Sequence, residues 1–385
     1  MAPLYFDHNA TTPLAPEVRE EMLAVLDHAV GNPSSSHRFG EENRRTLARA
    51  RERVARLVGA QPEEIYFTSG GTEANNLVLL GAAGRSSAEA GRLVTTAIEH
   101  PSVLNPCRQL AQRGRPVVFV PANSDGVVVP EALGGAWDGG TELVSAMFAN
   151  NDTGVIQPVA ELAAWAHEHG ARFHTDAVQA VGKIPIDVEE LGVDYLSLSA
   201  HKFRGPQGAG AVYVRRGAPA APLWFGGRQE RGLRPGTENV AALAGLGKAC
   251  ELAARTLEPE GVRQARLRGL FEAELKRRIE GVTINGEQAP RLPHTSNVGF
   301  AGLVGDDLAM NLDWLGLAVS TGAACRSTLR EPSHVLLAMG QSPEQARSAV
   351  RFSLGCETTT DDVFRAVELV RQAAVSLRGG RHFGP

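Results

Sequence analysis

"LSLSAHKFRGPQGAGAVYV", residues 196–214, is an apolar run that ends in His201 and Lys202 and passes through a loop holding Gly205, Gly208 and Gly210 into a second apolar run. Most lysines are solvated, and a lysine at the end of a strand ordinarily marks the point where the chain leaves the core. The alternative is chemical. A lysine held in a dry pocket sheds its proton more readily, and its neutral amine attacks carbonyl carbon to form a Schiff base. What the neighbouring strands bring to the same edge decides between the two.

From about residue 60 to 215 short apolar runs alternate with helical stretches: "EIYFTSG", "RLVTTAIEH", "PVVFVP", "ELVSAMFAN", "ARFHTDA", "DYLSLSAHK" and "GAVYVRR". This alternation predicts an α/β domain with a largely parallel sheet, whose ligands lie beyond the carboxyl ends of the strands. The residues closing each run are therefore the candidates. "EIYFTSGGTEANNLVLL" reads as a strand, a glycine turn and a helix beginning near Thr72. The first N–H groups of such a helix suit a phosphate, with the Thr72 hydroxyl as a further donor. Glycine turns also serve simple geometry, and the stretch matches neither the dinucleotide nor the P-loop pattern. "RLVTTAIEHPSVL" puts His100 at a strand end, open to ring stacking or proton transfer and equally to a structural role. "ARFHTDAVQAVGK" closes a strand at Asp176, with Gln179 three residues on. A buried carboxylate there needs a cationic partner. "FANNDTG" places Asn151 at the end of a further strand. Phosphate cradle, ring-facing histidine, carboxylate and amine are together what pyridoxal 5′-phosphate (PLP) requires.

The rest of the chain sets bounds. Its 385 residues and 43% hydrophobic content predict a folded protein of two or three domains. A net charge of −4 gives no electrostatic footprint for nucleic acid. No apolar run approaches the roughly 20 residues of a membrane span, and "MAPLYFDHNATTP" lacks the pattern of a signal peptide, so a cytoplasmic location is expected. The basic stretch "RRTLARARERVAR" carries Leu47, Ala50, Val54 and Leu57 at helical spacing, which predicts a solvated helix face rather than an RNA-binding one. Cys107, Cys250, Cys325 and Cys356 lie far apart without a C-x-x-C pair, against both a disulfide framework and a zinc site. No resident metal is expected. Composition changes near Leu257–Gly261, where a charged helical stretch runs to about Ile279. It is followed by the strands "GVTING", "TSNVGF", "LAVST" and "AVRFSLG" and by a last helix capped by Thr359 and Asp362. We therefore expect a large unit over 13–257 and a smaller α+β unit made of 1–12 and 258–385.

In order along nearly the whole chain, "YFDHNATTP", "GNPSSSHRFG", "FTSGGTEANN", "EHPSVL", "NNDTGVIQP", "HTDAVQAVGK", "LSLSAHKFRGPQGAGAVYVRR", "RGLRPGTEN" and "STGAACRS" resemble the cysteine desulfurases of the class V aminotransferase superfamily. The spacing from Cys325 to "EPSHVL" resembles the branch serving housekeeping or nitrogen-fixation iron–sulfur assembly. The resemblance implies the PLP-dependent transferase fold type I and a homodimer. It makes Lys202 the Schiff-base lysine, Asp176 the partner of the pyridinium nitrogen, and His100 the stacking ring and an additional acid/base. Asn151 and Gln179 would contact the phenolic oxygen side. Gly71, Thr72, Ser199 and His201 would hold the phosphate, and Thr237 would reach the phosphate of the neighbouring subunit. Arg351 would grip the substrate carboxylate, with Asn151 beside it, because a guanidinium fork supplies paired hydrogen bonds. Cys325, in "VSTGAACRSTLREPS", would take sulfur from L-cysteine as a persulfide, leaving L-alanine, and pass it to an acceptor or iron–sulfur scaffold, where it would serve as a transient cluster ligand. Selenocysteine lyase and another class V PLP enzyme are the rivals within the fold. A sulfur-carrier protein that uses Cys325 without PLP chemistry is the rival outside it.

Overall fold

Seven of the apolar runs form one sheet in the computed structural model, which describes residues 2–28, 30–82, 91–137, 139–321 and 331–380. A short strand β1 (Leu4–Tyr5) precedes β2 (Ile65–Thr68), β3 (Arg92–Thr96), β4 (Val117–Val120), β5 (Thr141–Ser145), β6 (Arg172–Asp176), β7 (Tyr195–Ser199) and β8 (Gly210–Val214). The large sheet has the order β2-β8-β7-β6-β5-β3-β4. Strands β3 to β7 run parallel, while β8 is antiparallel to both β7 and β2. Every residue of β7 and β8 is buried, as strands covered on both faces require.

The antiparallel return of β8 explains the glycines of the opening stretch. A parallel crossover needs a helix, whereas an antiparallel one is closed by a loop alone. Here residues 200–209 turn back directly, and β8 passes against the Gly70 main chain. A Cβ on Gly210 would lie 2.6 Å from Gly70 Cα, and one on Gly205 would lie 2.7 Å from Ala200 Cβ.

The second apolar cluster is built on strands β9 (Val282–Ile284), β10 (Thr295–Phe300) and β12 (Ala349–Ser353), an antiparallel sheet in the order β12-β10-β9. Strand β11 (Leu317–Ala318), all that forms of "LAVST", pairs in parallel with β1. Leu4 and Phe6 are therefore buried in this cluster rather than in that of the large sheet. The Phe271 ring lies 6.0 Å from that of Phe6 and 4.9 Å from that of Phe352.

Between the clusters runs one 39-residue helix, Val240–Arg278, capped by Asn239 and carrying Pro259 inside it. The composition change near Leu257–Gly261 falls in the middle of this helix. It marks a change of core, not an end. Leu243, Leu246 and Cys250 belong to the large cluster, and Leu267, Phe271 and Leu275 to the second. In the helix Arg38–Val58, Leu47, Ala50, Val54 and Leu57 are buried; Arg44 and Arg45 on the outer side pair with Glu41, while Arg51 turns inward to Glu230, so the arginines of the basic stretch that face solvent form one side of the helix only. Thr359 and Asp362 form a reciprocal capping box on the last helix, Thr360–Arg378. No described helix is long and apolar enough to cross a membrane.

Phe271 joins the N-terminal segment, the long helix and β12. Phe271→Ala should cost about 3–5 kcal/mol of stability, the usual toll of a large aromatic deleted from a packed core, read as a lower denaturant midpoint.

Candidate active site

Lys202 sits in the single turn Ala200–Lys202 that follows β7. Its amine donates to the main-chain oxygens of Asn9 (2.5 Å) and Ala10 (2.9 Å). Neither acceptor carries a full charge. Burial, with the nearby Arg351 adding to it, pushes the amine down to about 8 from 10.5. The lysine lines a cavity of about 230 Å³, together with Gly71, Thr72, His100, Asn151, Asp176, Gln179, Ser199 and His201. Nine residues singled out along 132 positions of sequence thus converge on one space.

Asp176, the last residue of β6, is 4% exposed. Its Oδ1 accepts from the Val178 N–H (3.0 Å) and its Oδ2 from the Asn75 amide (2.7 Å). The same Asn75 amide donates to Ser102 Oγ (2.8 Å), which lies 2.7 Å from His100 Nδ1. The Ser102 N–H also points at that nitrogen (3.1 Å). With Nδ1 accepting, the neutral imidazole carries its proton on Nε2. Burial lowers the His100 pKa, with Lys202 and His334 adding to the effect and Asp176 opposing it. Asn75 and Ser102 escaped the sequence reading; the repeated asparagine of "TEANN" was the only signal for the first.

His100 is not at a strand end: β3 closes at Thr96, and His100 caps the helix Pro101–Gln112. Asn151 likewise lies six residues past β5, in the turn that follows. Between Thr96 and His100, Glu99 is wholly buried, and its Oε1 accepts from Thr96 Oγ1 and the Met147 N–H, both at 2.7 Å. Burial pushes this carboxyl up to about 8, so it is neutral at pH 7. It holds Met147, a wall residue of the cavity, in place.

Arg351 on β12 is 5% exposed and donates to the Asn151 main-chain oxygen (2.9 Å) and to Asp7 Oδ1 (2.7 Å). It stands next to the cavity without lining it. Gln179 Nε2 donates to Asn9 O (3.0 Å), and His201 Nδ1 lies 3.1 Å from Thr11 Oγ1. Burial lowers His201 to about 4. Thr237 is exposed and outside the cavity of its own chain. Cys325 lies outside the described residues.

PLP requires an amine, a carboxylate for its ring nitrogen, an acceptor or donor for its phenolic oxygen and a phosphate cradle. The cavity answers each. Asn151 Oδ1 is buried with no hydrogen-bond partner among the described residues, a polar atom that awaits one. A Cβ on Gly70 would lie 3.6 Å from Ser199 Oγ, so the glycine turn and this hydroxyl face one another across a gap. At residue 71 a Cβ would lie 2.5 Å from Val178 Cγ2, so a larger residue there must displace that valine, which lines the cavity.

The model of the family described as aminotransferase class-V matches residues 4–365. A protein named cysteine desulfurase IscS from Dictyoglomus turgidum is 45% identical over 375 residues, covering 97% of this chain and 95% of that one. Among solved structures, one titled a NifS-like protein superposes with a TM-score of 0.89 at 38% identity, covering 96% of this chain and 98% of its own. Another, titled SspA in complex with cysteine, gives a TM-score of 0.81 at 36% identity, covering 91% and 98%.

Asn75 touches both the Asp176 carboxylate and the serine behind the imidazole. Asn75→Ala should lower stability by about 1–3 kcal/mol, because buried acceptors lose their donor, and chemical denaturation measures it.

Proposed function

Because the chain belongs to the aminotransferase class-V family, we propose that it is a PLP-dependent cysteine desulfurase, removing sulfur from L-cysteine to leave L-alanine. The observation that carries this reading is the Lys202 amine, lowered by burial to about 8, sharing one cavity with the Asp176 carboxylate and the His100 ring. PLP, when bound, supplies a protonated ring that draws electrons from the α-carbon of an attached amino acid.

The chain's own residues do the rest. Lys202 would hold PLP through its amine, and that amine would take the proton from the substrate Cα, a task its lowered pKa fits near neutral pH. Asp176, held by Asn75 and the Val178 N–H, receives the ring N–H. His100 would lie against the ring and would offer Nε2–H as an additional acid. Asn151 and Gln179 take the phenolic oxygen side, and Gly71, Thr72, Ser199 and His201 the phosphate. Arg351 receives the substrate carboxylate by exchanging its contact with Asp7, the role Asn151 shares. Cys325 accepts the sulfur: an S–S bond forms as the substrate Cβ–S bond breaks, and the electron pair left on carbon is protonated there.

We assign the cofactor to a large unit over 13–257 and the sulfur-accepting loop to a smaller unit of 1–12 and 258–385, a division supported by the two apolar clusters. A homodimer in which Thr237 reaches the partner's phosphate is supported by its exposure and by Phe225, 92% exposed in the same segment. Free Cys107, Cys250 and Cys356 fit a reducing cytoplasm, where sulfur would pass to an iron–sulfur scaffold or another acceptor.

Incubation with L-cysteine, with alanine and sulfide measured together, tests the activity; a sulfur carrier yields neither. In Lys202→Ala, borohydride should no longer fix the cofactor on any peptide, whereas in the parent it should mark Lys202 alone. Cys325→Ser should keep the cofactor's visible absorption and lose alanine formation by orders of magnitude. Undiminished alanine release from that variant would remove Cys325 from the reaction.

A further inference from the structure

Ser102 meets one nitrogen of His100 with two of its own groups. Its Oγ lies 2.7 Å from His100 Nδ1, and its main-chain N–H points at the same nitrogen at 3.1 Å, because the His100 side chain caps the helix Pro101–Gln112. Both residues line the cavity that holds Lys202. Where the serine hydroxyl sends its proton is decided further back, at Asp176.

A carboxylate accepts hydrogen bonds and donates none. Asp176 Oδ2 therefore faces the nitrogen of the Asn75 amide at 2.7 Å, and the same nitrogen donates its second hydrogen to Ser102 Oγ at 2.8 Å. Turning the amide over would set two oxygens against each other. The orientation holds although it leaves Asn75 Oδ1 buried without a partner among the described residues. Ser102 Oγ thus accepts from Asn75 and has its own proton to give to His100 Nδ1. The chain runs one way, with Asn75 giving to Asp176 and to Ser102, and Ser102 giving to His100. Asn75 is 1% exposed and Ser102 7%, so little water competes along it.

A proton on Nδ1 would meet the Ser102 N–H head-on and leave the hydroxyl proton without its acceptor. Protonating both ring nitrogens carries the same cost, and an imidazolium would also repel a protonated pyridine ring beside it. Burial drives His100 toward its neutral form, Lys202 and His334 add to this, and Asp176 opposes it.

We propose that Ser102 is a positioning residue that commits His100 to the Nε2–H form, a hydrogen-bond donor toward the cavity that cannot serve there as a base. One consequence rests on the reaction proposed above: the substrate Cα proton falls to Lys202 alone, and His100 only gives. The tautomer itself does not depend on that reaction.

The holoenzyme labelled with nitrogen-15 histidine reads the ring nitrogens directly, since protonated and bare ones resonate far apart. Signals missing from His100→Gln belong to His100. In the parent, Nε2 should read as protonated and Nδ1 as bare, neither moving between about pH 8 and about pH 6. In Ser102→Ala both signals should shift toward the average of the two tautomers, and the midpoint of His100 protonation should rise by about half a unit to one unit, the worth of one hydrogen bond. A loss of packing alone does not move a tautomer. In the same variant kcat for alanine formation should fall several-fold with KM for L-cysteine unchanged. A parent proton on Nδ1, or Ser102→Ala nitrogens that match the parent's, would overturn the assignment, and the parent spectrum stands even if the variant fails to fold. A tautomer shift with undiminished kcat would strip Ser102 of its part in the reaction. A parent that releases no alanine would sink the reaction and the division of roles with it, while the spectrum still decides the tautomer.

Discussion

Asn9 ties the two halves of the molecule together at Lys202. Its main-chain oxygen accepts from Lys202 Nζ and from Gln179 Nε2. Its N–H donates to Ser353 Oγ, its amide to the Asn151 main-chain oxygen, and its Oδ1 accepts from Thr295 Oγ1. The residue is 1% exposed, so each of these groups would carry a desolvation cost if left alone. One residue of the N-terminal segment thus holds the lysine turn, the cavity wall at Asn151 and both β10 and β12. Burial of Leu4 and Phe6 in the second cluster fixes where Asn9 can stand.

Burial then sorts the charges around it. Burial drives several groups toward their neutral forms: His100, His201 and the wholly buried His174 and His294 downward, Glu99 upward. Asp176 has two N–H donors on its oxygens, and Arg351 has a carboxylate and a carbonyl. Lys202 stands between these cases, because it donates only to neutral carbonyls. Its proton is therefore held loosely, as a base working near neutral pH requires. An arginine in its place would keep its charge whatever the desolvation.

Much of this was legible in the sequence because it is local. A strand end followed by Asp-x-x-Gln, a glycine pair before a helix, and a lysine between apolar runs each occupy a few residues, and all their side chains reach the same cavity. What stayed hidden depends on distant parts of the chain. Asn75 meets Asp176 across 101 positions, and Asn9 meets Lys202 across 193. No periodicity marks such pairs. His100 and Asn151 both line the cavity but do not lie at strand ends as their sequence suggests, since apolar character outlasts the hydrogen-bonded ladder in "TTAIEH" and "SAMFAN". The single helix Val240–Arg278 was obscured for the opposite reason. Its two halves face different cores and so differ in composition, although the backbone does not break.

The described cysteines bear on the sulfur chemistry by what they are unsuited to do. A sulfur acceptor must offer a thiolate that is accessible to substrate. Cys107 and Cys250 are each fully buried, and burial raises both thiols, Cys107 to about 12 and Cys250 further. Cys356 is only half-buried, yet it lines a second cavity, on the far side of the Lys202 loop, and burial with the hydrogen bond to Glu357 pushes it up to about 11. Among these three, none both reaches the catalytic cavity and ionises readily. The described residues on either side of the segment that holds Cys325 are fixed beside the cavity. On one side Ser320 exchanges main-chain hydrogen bonds with Arg351; on the other, Ser333 Oγ donates to Asp152 (2.5 Å) and His334 Nε2 to the Glu99 oxygen (2.9 Å). Both anchors touch residues next to the cavity: Arg351 binds the Asn151 carbonyl, and Glu99 precedes His100. Ser320 on one side of Cys325 and Ser333 with His334 on the other thus both stand beside the cavity that Lys202 lines.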